Sequence, residues 1–560
     1  MKFKLNIQII LLTLIVLLAG VLRFYKLGQV PAGMEWDELA IGYDAYSILK
    51  TGRDQFGQRL PITFRSLDDY KPPLYEYLAV LPIAIFGLTA FATRFPSAFF
   101  GTLSVLVCYL LVNELFPSSL KLRKGKVGTG NLVALIAAFL FAISPWHLQF
   151  SRAAFEVNLS VFLVIMAVWS FLKGLQNSRF FHITAIFAGL GLFSYHSTRV
   201  VLPLLMLFLT FAFWKKLPQL KKLAGPLIIF AIFFLPFLMI AFSAETQMRL
   251  KVTGLNNLFN QWRTLKDVEK DAAVDRVTLS DWRFRIFHGQ KAILARTIID
   301  NYVSHFDPGF LFSHADVVLH HAPGFGLLYR SELPFLVIGL ISFFKKYNQP
   351  KSRVLPFWFF IAPLPAAITM QVPHAVRTEL FLPTFQVFTA LGLVEVFVWF
   401  KKKIKWLVIP VLILAGIFLA YDVATYLHQY YVHTDYEVGK YWLCGREEAA
   451  KFTESVKDDY DQVIVSTNLE MPHVAWLFYL KYNPHKYLAE GGTVSGGWAE
   501  YENHFDKYRF DLIDRQEGWK KEKNTLFVDI AGKLPDHVQA LKNIYFPSGE
   551  KGIVAWESIE

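Results

Sequence analysis

Apolar residues in this chain come in long runs rather than in the short alternations of a soluble core. The runs Ile7 to Leu22, Val157 to Leu172, Val200 to Trp214, Pro226 to Phe242 and Trp406 to Ala420 contain no charged residue. Several approach the roughly 20 residues that a helix needs to cross hydrocarbon. The pattern predicts eleven spanning helices, at 7–22, 93–115, 131–145, 156–173, 181–195, 200–214, 226–242, 333–344, 355–370, 380–400 and 406–425. Leu74 to Gly87 is also apolar, but it is short and interrupted by Glu76 and Pro82, so it is expected as an interfacial helix. The first run follows Met1-Lys2-Phe3-Lys4 with no clear small-residue cleavage site after it, and it reads as the first span rather than a signal peptide.

The pattern changes near residue 430. A helix-like run, Glu447 to Val456, precedes a strand-like run, Gln462 to Ser466. A second strand-like run, Leu526 to Ile530, precedes Asp536 to Tyr545. Such alternation predicts a small α/β domain. The expected fold class is a polytopic α-helical membrane protein: residues 1–428 form the transmembrane domain and 429–560 an extracytoplasmic α/β domain.

Charge then fixes an orientation. The net charge of +12 first suggests nucleic acid, but its distribution argues against that partner. Basic residues gather in short connectors: Lys121, Arg123, Lys124 and Lys126; Lys173 and Arg179; Lys215, Lys216, Lys221 and Lys222; Lys345, Lys346, Lys351 and Arg353; Lys401, Lys402, Lys403 and Lys405. None of these connectors carries an acid, and the positive-inside rule places them all in the cytoplasm. Eleven spans from a cytoplasmic N-terminus leave the C-terminus outside. A hydrophobic content of 54% with 18% charged residues fits a chain solvated by bilayer. The two cysteines, Cys108 and Cys444, provide neither a disulfide framework nor a thiolate metal site.

In this weave the residues able to do chemistry fall on the outer face. Asp37 and Glu38 follow the first span, where a carboxylate serves as general base or holds a cation; the competing reading makes Asp37 the N-cap of a helix from Glu38 to Leu49. Lys71, before Pro72-Pro73 in a loop that also carries Asp68 and Asp69, suits a lipid phosphate at headgroup level, or simply snorkels to the interface. Arg152 and Glu156 flank a turn between spans and read either as site residues or as a structural ion pair. Arg199, His374 and Arg377 stand at other outer ends, where ionisable groups need partners or a polar cavity. His320 and His321 are adjacent, and two surface histidines explain them better than a metal does.

Taken in order, Met34-Glu35-Trp36-Asp37-Glu38, Tyr70-Lys71-Pro72-Pro73-Leu74 and Arg94-Phe95-Pro96-Ser97-Ala98 resemble the first outer loop of C-type membrane glycosyltransferases of the bacterial protein O-mannosyltransferase and lipid A aminoarabinose transferase type. Ser144-Pro145-Trp146, Arg152, Ser194 to Arg199 and Pro373-His374-Ala375-Val376-Arg377 look like later landmarks, so the likeness runs over about residues 10 to 400. The resemblance implies a polyprenyl-phosphate-linked sugar donor, a hydroxyl acceptor that it does not identify, and transfer with inversion. It implies Asp37 as catalytic base with Glu38 as a supporting or metal-contacting acid. Lys71 would bind the donor phosphate, with Arg152 and Arg199 assisting. The segment Tyr302 to Tyr329, with His305, Asp307, Asp316, His320 and His321, looks like the family's large outer loop. A divalent metal as cofactor, with Glu38, His320 and His321 as candidate ligands, would need three or four converging groups.

A flippase or transporter of lipid-linked sugars is the alternative class. Transporters place ionisable groups near the bilayer midplane, whereas the predicted spans carry few central charges. Tags placed near Lys124, Lys221 and Lys402 are expected on the cytoplasmic side and one at Glu560 on the opposite side. A cytoplasmic reading at Glu560 overturns the count of eleven.

Overall fold

A computed structural model describes residues 7–66, 69–116, 129–241, 243, 270, 273, 275, 281–347, 349–496, 500–513 and 522–558. Asp68, the connector from Lys121 to Lys126, and Glu560 lie outside the described residues. The chain packs as two compact units. One comprises Met1–Leu22, Gly101–Phe150 and Val157–Thr425; the other comprises Arg23–Phe100, Ser151–Glu156 and Tyr426–Glu560. The second unit therefore joins the first outer loop to the C-terminal segment, and its limits differ from a single division at 428.

The chain is mostly helical, with the apolar helices of a multi-pass membrane protein. Among the described residues, six helices are long and apolar enough to span a bilayer: Ile7–Phe24 (α1), Ala90–Leu115, Glu156–Gly174, Leu220–Ala241, Glu379–Lys403 and Lys405–Val438. Gly130–Ile143 and Pro145–Ser151 make a seventh if their 54° bend lies within one span. That bend falls where Pro145 removes a backbone donor and restricts Ser144. The expected spans at 181–195, 200–214, 333–344 and 355–370 are shorter apolar helices, Phe180–Gly191, Thr198–Ala212, Leu333–Lys346 and Val354–Ala367. Pro363 and Pro365 fall within the last of these.

In the first unit, the helices Leu333–Lys346 and Thr384–Lys403 approach backbone to backbone. A Cβ on Gly339 would lie 1.8 Å from the Phe388 carbonyl oxygen, and one on Gly392 would lie 1.8 Å from that of Phe335. Only glycine admits this crossing, the same device by which small residues bring apolar helices together in lipid.

In the second unit, α2 (Trp36–Thr51) leads to an antiparallel ribbon of β1 (Phe64–Ser66) and β2 (Asp69–Lys71), with Phe64 opposite Lys71. Next come α3 (Leu74–Phe86), the short helix expected there, and the start of α4 (Ala90–Leu115). The C-terminal part holds β3 (Gln462–Ser466), β4 (His504–Phe505), β5 (Tyr508–Asp511), β6 (Thr525–Ile530), β7 (Lys542–Tyr545) and β8 (Lys551–Glu557). They form one sheet in the order β4-β5-β3-β6-β8-β7. β3 runs parallel to β5 and β6, and the other pairs are antiparallel. Ile464, Phe527, Val554 and Trp556 form a core on one face of it. The helix at Arg446–Val456 and the strands β3 and β6 fall where the pattern predicts them. The segment after Asp536 is a turn and then β7, because Ile544 is buried by pairing with Ile553 in a sheet that no local periodicity reveals.

Gly392→Val is expected to force these two helices apart and to destabilise detergent-solubilised protein by about 1–3 kcal/mol or more. Gly416→Val, at a position with nothing within 4 Å of an added Cβ, is the control. Equal thermal midpoints for the two variants would remove the glycine crossing as a constraint.

Candidate active site

α2 begins at Trp36, two residues earlier than a helix capped by Asp37. Glu35 is the N-cap: its carboxylate accepts the Asp37 N–H at 3.0 Å, and Glu38 Oε2 accepts the Glu35 N–H at 3.4 Å. This reciprocal box satisfies donors that would otherwise be orphaned at the helix start. The capping role expected of Asp37 thus belongs to Glu35. Asp37 and Glu38 occupy the first turn, where the helix dipole favours negative charge.

Glu38 points into the protein, against Arg94 at the start of α4. Arg94 Nε lies 2.8 Å from Glu38 Oε1, and Nη2 lies 2.8 Å from Oε2. Its remaining donors reach the carbonyls of Leu27 at 3.2 Å, Pro31 at 2.9 Å and Gly33 at 2.6 Å. All five guanidinium N–H groups are therefore used. Glu38 Oε1 also accepts the Ala154 N–H at 2.8 Å. With the Glu35 N–H on Oε2, the four acceptor positions of Glu38 are taken, and this geometry does not fit Glu38 as a metal ligand.

Lys71 ends β2. The following proline favours extended backbone at this position, and Pro73 caps α3 behind it. Lys71 Nζ lies 2.6 Å from Asp37 Oδ1 and 3.7 Å from Glu156 Oε1. The Lys71 and Glu156 side chains are each 9% exposed, whereas that of Asp37 is 35% exposed. Lys71 is thus a buried, paired amine rather than a snorkelling one, and Asp37 is the open member of the trio. Burial by itself would lower the Lys71 pKa, but the carboxylates of Asp37, Glu156 and Glu35 outweigh it and hold the ammonium above its usual value. Burial, followed by the Asp37 charge, pushes Glu35 well above the carboxylate range.

Arg152, fully buried, donates to the carbonyls of Arg23 at 3.0 Å and Val30 at 3.1 Å. Its guanidinium lies over the rings of Tyr430 and Tyr431, 5.2 and 4.9 Å from their centroids, a cation–π arrangement. The second unit therefore brings together Asp37, Lys71 and Glu156, and holds Glu38 and Arg152 in its framework.

The remaining candidates belong to the first unit. Arg199 donates from Nε to the Leu192 carbonyl at 3.0 Å, and its Nη1 lies 3.2 Å from His196 Nδ1. Arg377 donates from Nη1 to Thr369 Oγ1 at 2.8 Å and to the Met370 carbonyl. His374 and His320 meet around Asp316, whose Oδ2 lies 3.7 Å from His374 Nδ1 and 2.8 Å from His320 Nδ1. His321 instead interacts through Nδ1 with the Ala322 carbonyl. The adjacent pair is thus split, and the partners of His320 are Asp316 and His374. Burial would raise Asp316, but the hydrogen bond and charge of His320 outweigh it and hold the carboxyl below its usual value. Burial lowers His305 to about 4, and burial with the Arg377 charge holds His374 well below an ordinary imidazole.

Sequence reasoning passed over Arg94 as a site residue. The signal was present, since an arginine inside a long apolar helix must find partners. The roles of Glu35, Tyr430 and Tyr431 carry no comparable signal.

Residues 70–240 match the family described as Dolichyl-phosphate-mannose-protein mannosyltransferase, a range that includes Lys71, Arg94, Arg152, Glu156 and Arg199. A stretch of 121 residues is 27% identical to the Putative mannosyltransferase YkcB of Bacillus subtilis (strain 168), covering 22% of this chain and 15% of that protein. Among solved structures, ArnT from Cupriavidus metallidurans bound to undecaprenyl phosphate aligns over 97% of both chains at 13% identity with a TM-score of 0.51. The oligosaccharyltransferase AglB from Archaeoglobus fulgidus, in complex with an inhibitory peptide and a dolichol-phosphate, aligns over 86% of this chain and 64% of that one, at 16% identity and a TM-score of 0.48. The chain thus spans less than two thirds of the length of AglB, and its match covers a small part of YkcB. The resemblance to C-type membrane glycosyltransferases is borne out by the family match and by the fold shared with ArnT.

Removing one member of the Arg94–Glu38 pair leaves the other charged and buried, which costs about 3–5 kcal/mol. Glu38→Gln and Arg94→Met are each expected to lower the thermal midpoint sharply. A midpoint unchanged in both variants would show that this pair does not hold the loop.

Proposed function

We propose that this protein is a membrane glycosyltransferase that moves a sugar from a polyprenyl-phosphate donor to a hydroxyl acceptor on the extracytoplasmic face, with inversion at the anomeric carbon. The observation that carries this reading is the contact between buried Lys71 and half-open Asp37. It sits in a fold shared with ArnT, a protein whose solved structure holds undecaprenyl phosphate, and Lys71 lies within the segment matching the mannosyltransferase family. Residues 1–428 are assigned to the membrane domain, with eleven spans, and 429–560 to an extracytoplasmic domain.

Two carboxylates flank a single ammonium, so an arriving phosphate competes with them for Lys71. The contact with Asp37 is the one open to solvent. In the donor complex Lys71 turns to the phosphate and keeps Glu156 as its orienting partner, which frees the Asp37 carboxylate. Asp37 then takes the proton of the acceptor hydroxyl as that oxygen attacks the anomeric carbon. The bond from the sugar to the phosphate oxygen breaks, and its electron pair leaves with the lipid phosphate, which Lys71 stabilises. Glu38, saturated by its donors, positions α2 and touches no reactant. Arg152, in the same unit, braces the loop before α2 through the Arg23 and Val30 carbonyls.

The test is sugar transfer by purified protein in detergent. Asp37→Asn is close in size and leaves the Glu35 cap in place, so it is expected to fold, to bind donor and to lose roughly 10²–10⁴-fold in turnover. Lys71→Ala is expected to weaken donor binding, with partial recovery in Lys71→Arg because charge returns without the same geometry. Near wild-type transfer by Asp37→Asn would refute the base. Wild-type protein that moves lipid-linked sugar across vesicles without transferring it would replace the enzyme with a transporter.

A further inference from the structure

The first unit contains a cluster that sugar transfer does not use. One ligand atom from each of Asp316, His320 and His374 can be chosen so that all three lie within 4.8 Å of one another. The side chains are largely enclosed, at 6% exposed for Asp316, 10% for His320 and 11% for His374. A carboxylate buried this deeply normally has both oxygens satisfied. Here Oδ2 interacts with His320 Nδ1 at 2.8 Å and accepts the Ala375 N–H at 2.9 Å, while Oδ1 is buried with no hydrogen-bond partner among the described residues.

We propose that Asp316, His320 and His374 form a binding site for a divalent transition metal of the zinc class. Two imidazoles and one carboxylate are a ligand set that zinc accepts at about 2.0–2.2 Å, with water completing the tetrahedron. The Asp316–His320 contact of 2.8 Å is shorter than the roughly 3.3–3.6 Å between tetrahedral ligands at 2.0–2.2 Å, so these two groups would part slightly to admit the ion. On binding, the contact between His320 Nδ1 and Asp316 Oδ2 would give way to two metal bonds, any proton on Nδ1 passing to solvent because a ligating nitrogen must be unprotonated.

Groups around the triad fix its orientation, as supporting shells do at metal sites. The Ala375 N–H holds the carboxylate, the Ala375 carbonyl accepts Trp146 Nε1–H at 3.2 Å, and the Phe150 ring packs 5.7 Å from His320. His305 Nε2 accepts the His374 N–H at 3.3 Å and so serves the backbone rather than the ion. Arg377, on the same turn, is anchored by Thr369 and Met370 and supplies no ligand. The ion would tie the loop bearing Asp316 and His320 to the turn bearing His374. This inference does not depend on the proposed transfer reaction.

The experiment uses full-length protein carrying no polyhistidine tag, stripped with chelator and titrated with Zn2+ or with Co2+, whose visible absorption reports ligand geometry. One equivalent per chain is expected, with a tetrahedral cobalt spectrum and a raised thermal midpoint in the presence of zinc. Asp316→Asn and His320→Ala are each expected to weaken binding by more than roughly 100-fold, beyond the ~10–100-fold that a supporting residue costs. Asp316→Asn keeps an acceptor for the Ala375 N–H, and an unchanged midpoint in chelator shows that its loss of metal is not misfolding. His428→Ala/His433→Ala, which removes the exposed pair whose Nε2 atoms lie 3.2 Å apart, should bind normally. No stoichiometric metal on the wild type, or binding lost with the exposed pair and retained without Asp316 and His320, overturns the site.

Discussion

The second unit depends on one buried ion pair. Arg94 has no exposed surface, and desolvating a guanidinium is tolerable only when its charge and every donor are met. Glu38 meets the charge through two parallel bonds, and the carbonyls of Leu27, Pro31 and Gly33 take the remaining donors. The start of α4, the first turn of α2 and the loop before it are thereby fixed to one planar group. Gly33 adds to the constraint: a Cβ there would lie 1.8 Å from the Trp442 carbonyl oxygen, so backbone from the distant C-terminal segment closes over the loop. Asp37, next to Glu38, inherits its position from this arrangement.

Adjacent acids consequently have opposite fates. Successive residues on a helix point about 100° apart, so when Glu38 faces Arg94, Asp37 is turned to the side on which Lys71 arrives from the β1–β2 ribbon. One acid holds the architecture, and the other remains partly open to solvent. The electrostatics follow: Lys71 is kept charged by its neighbours, while Glu35 is driven by burial toward its neutral form.

What could be read in the sequence was whatever depended on local pattern or short motifs. Long apolar runs became apolar helices at each expected span, and motif order led to Asp37 and Lys71. The helix start was missed because glutamate is an unusual N-cap, and nothing local distinguishes Glu35 from Asp37 until Arg94 pulls Glu38 inward. The partners of His320 were missed for a similar reason. Sequence offers His321 as the neighbour, but the ring directions follow the surrounding loop, and His374 lies 54 positions farther along. Span lengths were overestimated where prolines such as Pro363 and Pro365 cut an apolar run that still reads as continuous.

The second unit also has a temporal consequence. Its two principal segments are separated by residues 101–425, apart from the short piece Ser151–Glu156. Their union is nevertheless specific: Ala32 N–H meets Asp435, Tyr43 meets the Tyr482 carbonyl, and Thr493 meets Gln55. At the usual 5–20 residues per second, synthesis of the intervening chain takes roughly 15–65 s. For that interval α2 and the ribbon bearing Lys71 lack the surfaces that later bury them. A newborn chain must therefore keep its first loop soluble and unaggregated while its helices insert, until the segment carrying Asp435, Tyr482 and Thr493 arrives.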